Sequence, residues 1–269
     1  MFEAIEFFQL RSFWYFLTGT IWSPGVANSQ FGALPIFAGT FVITIIALLV
    51  AIPIGLGSAI YMSEYASPKF RDYLKPILEI LAGIPTVVYG FFAAITVAPL
   101  VVKAAAFFGL EATFNSALAS GIVMGIMIIP LISSLSDDVI RAVPDSQRKA
   151  AFALGMTHGE TIKNIVIPSA MPGIISASLL ALSRALGETM IVVMAAGLRP
   201  NLSWNPLEDM TTVTVTIVNS LVGDFEFNSP ETLSAFALGL VLFIVTLILN
   251  MISLSLIRKF KEKYKVNTL

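Results

Sequence analysis

Residues 148–168 read RKAAFALGMTHGETIKNIVIP, the centre of a polar loop, 136–172, that lies between two apolar runs of membrane length. The mean hydropathy of the whole chain is +0.87. A chain this apolar has little reason to carry a long polar segment with helix patterning unless something in water binds that segment. The loop therefore indicates a membrane protein that is moved by a soluble partner.

The composition around this loop is that of a membrane protein with several spans. Hydrophobic residues make up 57% of the 269 and charged residues 12%, whereas a soluble domain carries roughly 25% charged residues. A spanning helix needs about 20 apolar residues, and no alternating pattern of a membrane barrel is present. We predict an all-α, polytopic helical membrane protein with spans at 36–62, 77–101, 117–134, 173–195 and 233–257.

The basic residues predict the orientation and the domain organisation. Twelve of the sixteen Lys and Arg residues lie in three segments: the loop that follows the first span, the 136–172 loop and the tail. The positive-inside rule predicts that these segments are cytoplasmic and that the N-terminus is outside. Residues 1–35 are expected to be an N-terminal interfacial segment, because the aromatic stretch 7–17 suits the membrane surface. Residues 36–257 form the predicted transmembrane domain, and 258–269 a basic cytoplasmic tail.

The loop itself has a readable internal design. Asp145 follows a proline and is expected to cap a short helix that runs through Leu154. Gly155 is placed to end that helix in a left-handed conformation. Thr157 and Glu160 have the spacing of a capping box for a second short helix, which Pro168 and Pro172 are expected to stop.

The side chains exclude some kinds of chemistry. The chain has no cysteine and a single histidine, so thiolate and multi-histidine metal sites are excluded. It has no G-x-x-x-x-G-K-[ST] motif, so we expect no ATP hydrolysis by this chain and no bound cofactor. A membrane enzyme is disfavoured by the shortage of catalytic side chains. An ion-coupled secondary transporter stays an alternative, although neither inverted repeats nor several intramembrane carboxylates, which would support it, are evident.

Arg184 and Glu188 are charged residues that lie in the middle of a predicted span. Their spacing of four predicts one helix face, and a charge at the bilayer centre costs about 2.5–3.5 kcal/mol on insertion scales, so both should face protein or water. One interpretation is a structural ion pair between helices. The other is that Arg184 lies on the path of an anion, with Glu188 as its resting partner, because the guanidinium fork suits an oxyanion.

The loop resembles that of the permease subunits of ABC importers, which has the form E-A-A-x-x-x-G-x9-I-x-L-P. Lys149, Ala150, Ala151, Gly155, Ile165, Ile167 and Pro168 occupy that register here, with lysine in place of glutamate and isoleucine in place of leucine. In that family the loop inserts into a groove on the ATPase subunit and transmits its movement. The resemblance implies that Ala150, Ala151, Gly155, Ile165 and Pro168 form the coupling surface.

Further motifs resemble the PstC family of phosphate permeases over nearly the whole chain: FLTGT at 16–20, FGALP at 31–35, LAGIPTVVYG at 81–90 and RALGET at 184–189. Members usually begin with one further span, and what remains here is the five-helix importer core. The resemblance implies a subunit of a bacterial inner-membrane phosphate importer. The nearest alternative is a permease for another oxyanion, such as sulfate, molybdate or tungstate.

The same resemblance implies the partners. A second, related permease subunit would lie beside this chain in the lipid bilayer. Two ATP-binding subunits would hold ATP and Mg in the cytoplasm, and a soluble phosphate-binding protein would lie outside. Nucleic acid is not an expected partner.

Overall fold

The computed structural model describes residues 2–25, 29–222 and 229–263, and its architecture is all-α, as predicted. Its helices are α1 Phe2–Leu10, α2 Phe13–Thr18, α3 Leu34–Ile60, α4 Pro68–Ala82, α5 Thr86–Phe92, α6 Ala98–Phe107, α7 Ala117–Arg141, α8 Asp145–Ala153, α9 His158–Thr161, α10 Ile167–Leu186, α11 Met190–Ala195, α12 Val213–Leu221 and α13 Pro230–Lys263. One short antiparallel pair joins Trp22–Ser23 to Gln30–Phe31. Wider π-helical turns continue three helices at Tyr61–Tyr65, Ala93–Val97 and Ile162–Val166.

Within residues 2–25, 29–222 and 229–263, five helical segments are long and apolar enough to cross a membrane, which confirms the predicted number. They are Leu34–Tyr65, Thr86–Phe107, Ala117–Arg141, His158–Leu186 and Pro230–Lys259. The predicted bounds of the second and the fourth spans are wrong, and in both cases the reason lies in the backbone at prolines and glycines.

The predicted span 77–101 is two separate helices. The first, α4, is amphipathic and ends at Ala82, where the N–H of Gly83 caps the carbonyls of Glu79, Ile80 and Leu81. Pro85, with a non-helical ψ of 136°, is the N-cap residue of α5. A proline disfavours helical geometry in the residue before it, so an apolar run that hydropathy treats as continuous breaks here.

The fourth span begins earlier than predicted, because the helix passes through both prolines that were expected to stop it. The π-turn Ile162–Val166 ends two residues before Pro168, and its wider ring accommodates a residue that has no N–H to donate. Pro99 stands at the same offset from the π-turn Ala93–Val97. The helix ends at Leu186, so the predicted continuation through 195 is wrong.

One compact unit consists of Met1–Ala47, Pro85–Met124 and Ala185–Leu247. Phe7, Phe16 and Phe31 are fully buried in its core, together with Val213 and Leu233. The Phe7 ring meets the Phe16 and Phe31 rings edge to face at 5.4 Å, an arrangement that aromatic quadrupoles favour. The aromatic N-terminal stretch therefore contributes to a packed core, and the predicted division at residue 35 stays a prediction.

The second compact unit consists of Leu48–Ile84, Gly125–Arg184 and Ile248–Leu269. Its core contains Ala59, Ile140, Val143, Val166, Ala170 and Ile174. Glycine allows close contact between helices inside it: a Cβ added to Gly173 would lie 2.2 Å from Val139 Cγ1. Residues 264–269 of the predicted basic tail lie outside the described residues.

Candidate functional site

The 136–172 loop contains the two short helices that the sequence predicts. The first, α8, is followed by Gly155 with a φ of +84°. In this left-handed turn the N–H of Met156 donates to Ala151 O at 3.1 Å. A capping box begins α9, with the Thr157 N–H donating to Glu160 Oε2 at 2.8 Å. The predicted cap by Asp145 is wrong, because Pro144 holds the N-cap position and Asp145 is the first helical residue.

The residues of the family register divide between the two sides of the loop. Ala151 is buried, Ile165 and Pro168 are half-buried, and Ala150 and Gly155 are exposed. Beside Ala150, the side chains of Phe152 and Leu154 are 45% and 80% exposed. The outer side of α8 therefore offers a small apolar surface, of the kind that protein interfaces bury at their centre.

An ion pair that the sequence analysis missed lies beneath the loop. Arg148 Nη2 is 2.9 Å from Glu64 Oε1 and donates to Ile140 O at 3.0 Å. The Glu64 and Arg148 side chains are only 6% and 15% exposed. Glu64 is the single acidic residue near the end of the first apolar run, and this position was the only feature of the sequence that could have pointed to the ion pair.

A second set of charges joins α4 to α7. Arg71 Nη2 is 2.7 Å from Asp137 Oδ2, and Lys75 pairs with Asp138. The hydrogen bonds that Arg71 donates to the Asp137 carboxylate raise the pKa of Arg71 above its ordinary value. A polar cavity of about 410 Å³ lies beside both ion-pair systems, and its lining includes Glu64, Arg71, Arg141 and Arg148.

Arg184 and Glu188 do not lie in the same helix: Arg184 belongs to α10, and Glu188 to the break between α10 and α11. Arg184 lies in the last turn of α10, which ends at Leu186, so the predicted shared helix face is wrong. The Glu188 carboxylate is buried and accepts hydrogen bonds from the N–H groups of Met190 and Ile191 at 3.0 and 3.3 Å. It thereby caps the start of α11. The Arg184 guanidinium is exposed and forms no ion pair with any described residue.

A third polar arrangement, also missed from the sequence, organises the loop before α12. The Glu208 carboxylate accepts hydrogen bonds from Asn201 Nδ2 at 2.8 Å and Asn205 Nδ2 at 3.1 Å. Hydrogen bonds from Asn201, Ser203 and Asn205 hold the pKa of Glu208 below its ordinary value. The backbone of Glu208 is held as well, since its carbonyl accepts from the N–H of Ala117 at 3.0 Å.

In the part of the chain that the structure describes, five helices are long and apolar enough to cross a membrane, as in an integral membrane protein. The chain belongs to the family of binding-protein-dependent transport system inner membrane components, which matches residues 51–265. Membership of this family implies an ATPase and a binding protein as partners.

Relatives with similar sequences cover most of the chain. The probable ABC transporter permease protein YqgH of Bacillus subtilis is 35% identical over 93% of this chain and 78% of its own length. The phosphate transport system permease protein PstC 1 of Mycobacterium tuberculosis is 32% identical over 96% of this chain and 85% of its own length. PstC of Mesorhizobium japonicum is 35% identical over 87% of this chain and 75% of its own.

Solved structures support the fold. The inward-facing MetNI methionine ABC transporter has a TM-score of 0.60 at 16% identity, and the match covers 85% of this chain and 94% of that one. A bacterial ABC transporter that imports alginate has a TM-score of 0.58 at 15% identity, with 81% and 78% covered. These likenesses confirm an importer-permease fold.

Proposed function

We propose that this chain is the transmembrane permease subunit of an ATP-driven importer for inorganic phosphate. The observation that carries the proposal is the identity of 32–35% with relatives named phosphate transport system permease proteins, over 87–96% of this chain. Motifs 81–90 and 184–189, which resemble those of the phosphate permeases, support the same substrate.

The proposed complex contains three kinds of partner. A PstA-like permease pairs with this chain, a dimer of PstB-like subunits binds ATP and Mg, and a PstS-like protein delivers phosphate from outside. This chain holds no cofactor and catalyses no covalent step in the proposal. In the proposal its N-terminus lies outside the cell membrane and its C-terminus in the cytoplasm, and the asymmetry of the basic residues supports this orientation.

In this proposal the 136–172 loop is the coupling surface. Exposed Ala150 and the left-handed turn at Gly155 face the ATP-binding subunit, together with the apolar side chains of α8. Ala151, Ile165 and Pro168 face the opposite way, into the packing that holds the loop on its own unit. Movement of the ATP-binding subunit then moves α8 and the helices joined to it.

Arg184 is the proposed contact for the anion. Its guanidinium has no ionic partner among the described residues, and it stands just before a break in the helix. A planar fork of N–H donors matches the oxygens of phosphate, and a strongly hydrated anion needs such replacement of its water in a region of low dielectric. Glu188 fixes the chain after the break by capping α11, rather than by neutralising Arg184 along one helix face.

The test is uptake by vesicles that contain the reconstituted complex. Labelled phosphate, sulfate and molybdate are offered in turn, with the binding protein outside and ATP inside. We expect ATP-dependent accumulation of phosphate only. Accumulation of sulfate or molybdate without phosphate would assign the complex to the alternative oxyanions.

A further inference from the structure

Glu64 lies at the end of the first spanning helix, in a place that requires a partner charge. The helix that begins as α3 finishes in the π-turn Tyr61–Tyr65, where the N–H of Ala66 donates to Tyr61 O at 2.8 Å. The Glu64 side chain is 6% exposed. A buried carboxylate is costly unless it is paired and hydrogen-bonded, so Glu64 needs a cationic partner at the end of this helix.

Arg148 supplies that charge from the coupling loop. Its Nη2 donates both to Glu64 Oε1 at 2.9 Å and to Ile140 O at 3.0 Å, and its Nη1 donates to Val143 O. The two carbonyls belong to the end of α7 and the turn that follows it. One rigid guanidinium thus joins the start of α8 to the ends of two long helices.

His158 contacts the same helix end from the other side of the Gly155 turn. Its Nε2 is 3.2 Å from Glu64 O. Its ring meets the Tyr65 ring edge to face at 5.2 Å and stacks on Phe152 at 6.2 Å. Both short helices of the loop therefore hold residues 64–65, one through the Glu64 side chain and the other through its carbonyl.

We propose that Glu64, Tyr65, Arg148 and His158, named here the helix-end clamp, carry the movement of the coupling loop to the first spanning helix. The proposal rests on the proposed function, because an ATP-binding subunit must move the loop. Arg148 and His158 are positioning residues, since they act through Glu64 and Tyr65. The helix end that these residues hold is a single π-turn, a feature that occurs frequently at functional sites.

The test compares transport with ATP hydrolysis in the same vesicles. The variant Glu64→Gln with Arg148→Gln removes both charges, so no unpaired charge stays buried. We expect it to bind the ATP-binding subunit and to hydrolyse ATP, while phosphate transported per ATP falls about tenfold, the order of a contact that couples two sites. Arg148→Lys keeps the positive charge but lacks the planar guanidinium. We expect its phosphate transported per ATP to lie between that of the double variant and that of the wild type.

The matched control is Arg71→Gln with Asp137→Asn. This pair is similarly buried, with side chains 18% and 1% exposed, and joins α4 to α7. Among the described residues, the hydrogen bonds of these two side chains include no partner in α8 or α9. We expect its ratio of phosphate to ATP to match wild type. A wild-type ratio in the Glu64 and Arg148 double variant, or an equal fall in the control, would overturn the clamp as a coupling element.

The outcome also separates this inference from the proposed function. If the wild-type complex carries sulfate rather than phosphate, the proposed substrate is wrong. The sulfate transported per ATP, compared between the double variant and the wild type, then tests whether the helix-end clamp is a coupling element. If the wild-type complex carries no oxyanion when ATP is present, both proposals are overturned.

Discussion

Gly155 shows how one backbone conformation supports the coupling loop. Its φ is +84°, and a Cβ added there would meet no atom within 4 Å. A side chain at this position is therefore disfavoured by the left-handed backbone conformation and not by a steric clash with neighbouring residues. An L-residue in the left-handed region costs about 1–2 kcal/mol. We expect Gly155→Val to insert normally in the membrane and to retain about a tenth of the ATP-binding subunit on purification, the factor that 1.4 kcal/mol gives.

Gly155→Asn is the matched control for this change. Asparagine enters the left-handed region more readily than other residues with a side chain, so this variant should co-purify with nearly wild-type amounts of the ATP-binding subunit. If Gly155→Val retained the ATP-binding subunit and transported at wild-type levels, the turn would have no part in docking.

Arg184 provides the second prediction for a single residue. Arg184→Gln should lower phosphate uptake by at least about tenfold, because each hydrogen bond to a charged group is worth about 1.5–3 kcal/mol. Adding Glu188→Gln should not restore uptake, since an amide oxygen can still accept from Met190 and Ile191 while the anion lacks its cation. Uptake is measured at matched expression, and recovery in the double variant would make Arg184 a structural residue.

Among the helices, local features were predictable and long-range ones were not. The number of spanning helices and the left-handed turn at Gly155 depend on neighbouring residues, and both were predicted from the sequence. Hydropathy averages over the breaks at 83–85 and 187–189, so it could not locate them. The Glu64 and Arg148 pair joins residues 84 positions apart, and no spacing rule along one helix or strand extends that far.

Close packing of α7 and α10 gives a prediction for these elements. Gly173→Ala would bring a Cβ within 2.2 Å of Val139 Cγ1, on a β-branched side chain that has little freedom to move. Overpacking of this kind costs about 1–3 kcal/mol. We expect a clear drop in the thermal unfolding temperature of the purified protein.

Gly57→Ala is the control for that packing prediction. Gly57 lies on α3, and a Cβ added there would meet no atom within 4 Å. The gain in helix propensity, about 0.5–1 kcal/mol, should therefore leave the unfolding temperature equal to that of the wild type or higher. Equal unfolding temperatures in the two variants would contradict the close approach of α10 to α7.

The arrangement of the whole chain across the membrane can be tested because it contains no cysteine. Single variants Ser146→Cys and Glu111→Cys place a thiol on exposed positions in the coupling loop and in the segment between α6 and α7. An impermeant thiol reagent should label Glu111→Cys in intact cells, and Ser146→Cys only after the cells are opened. Labelling of Ser146→Cys in intact cells would reverse the predicted orientation.

The chain has one histidine, and the fold places it in the helix-end clamp, between the rings of Tyr65 and Phe152. Isotope labelling of histidine would therefore give a single imidazole in a magnetic resonance spectrum of this subunit. Its chemical shifts would depend on the ring currents of those two neighbours. The natural sequence thus carries an intrinsic spectroscopic reporter at the point where the loop meets the first spanning helix.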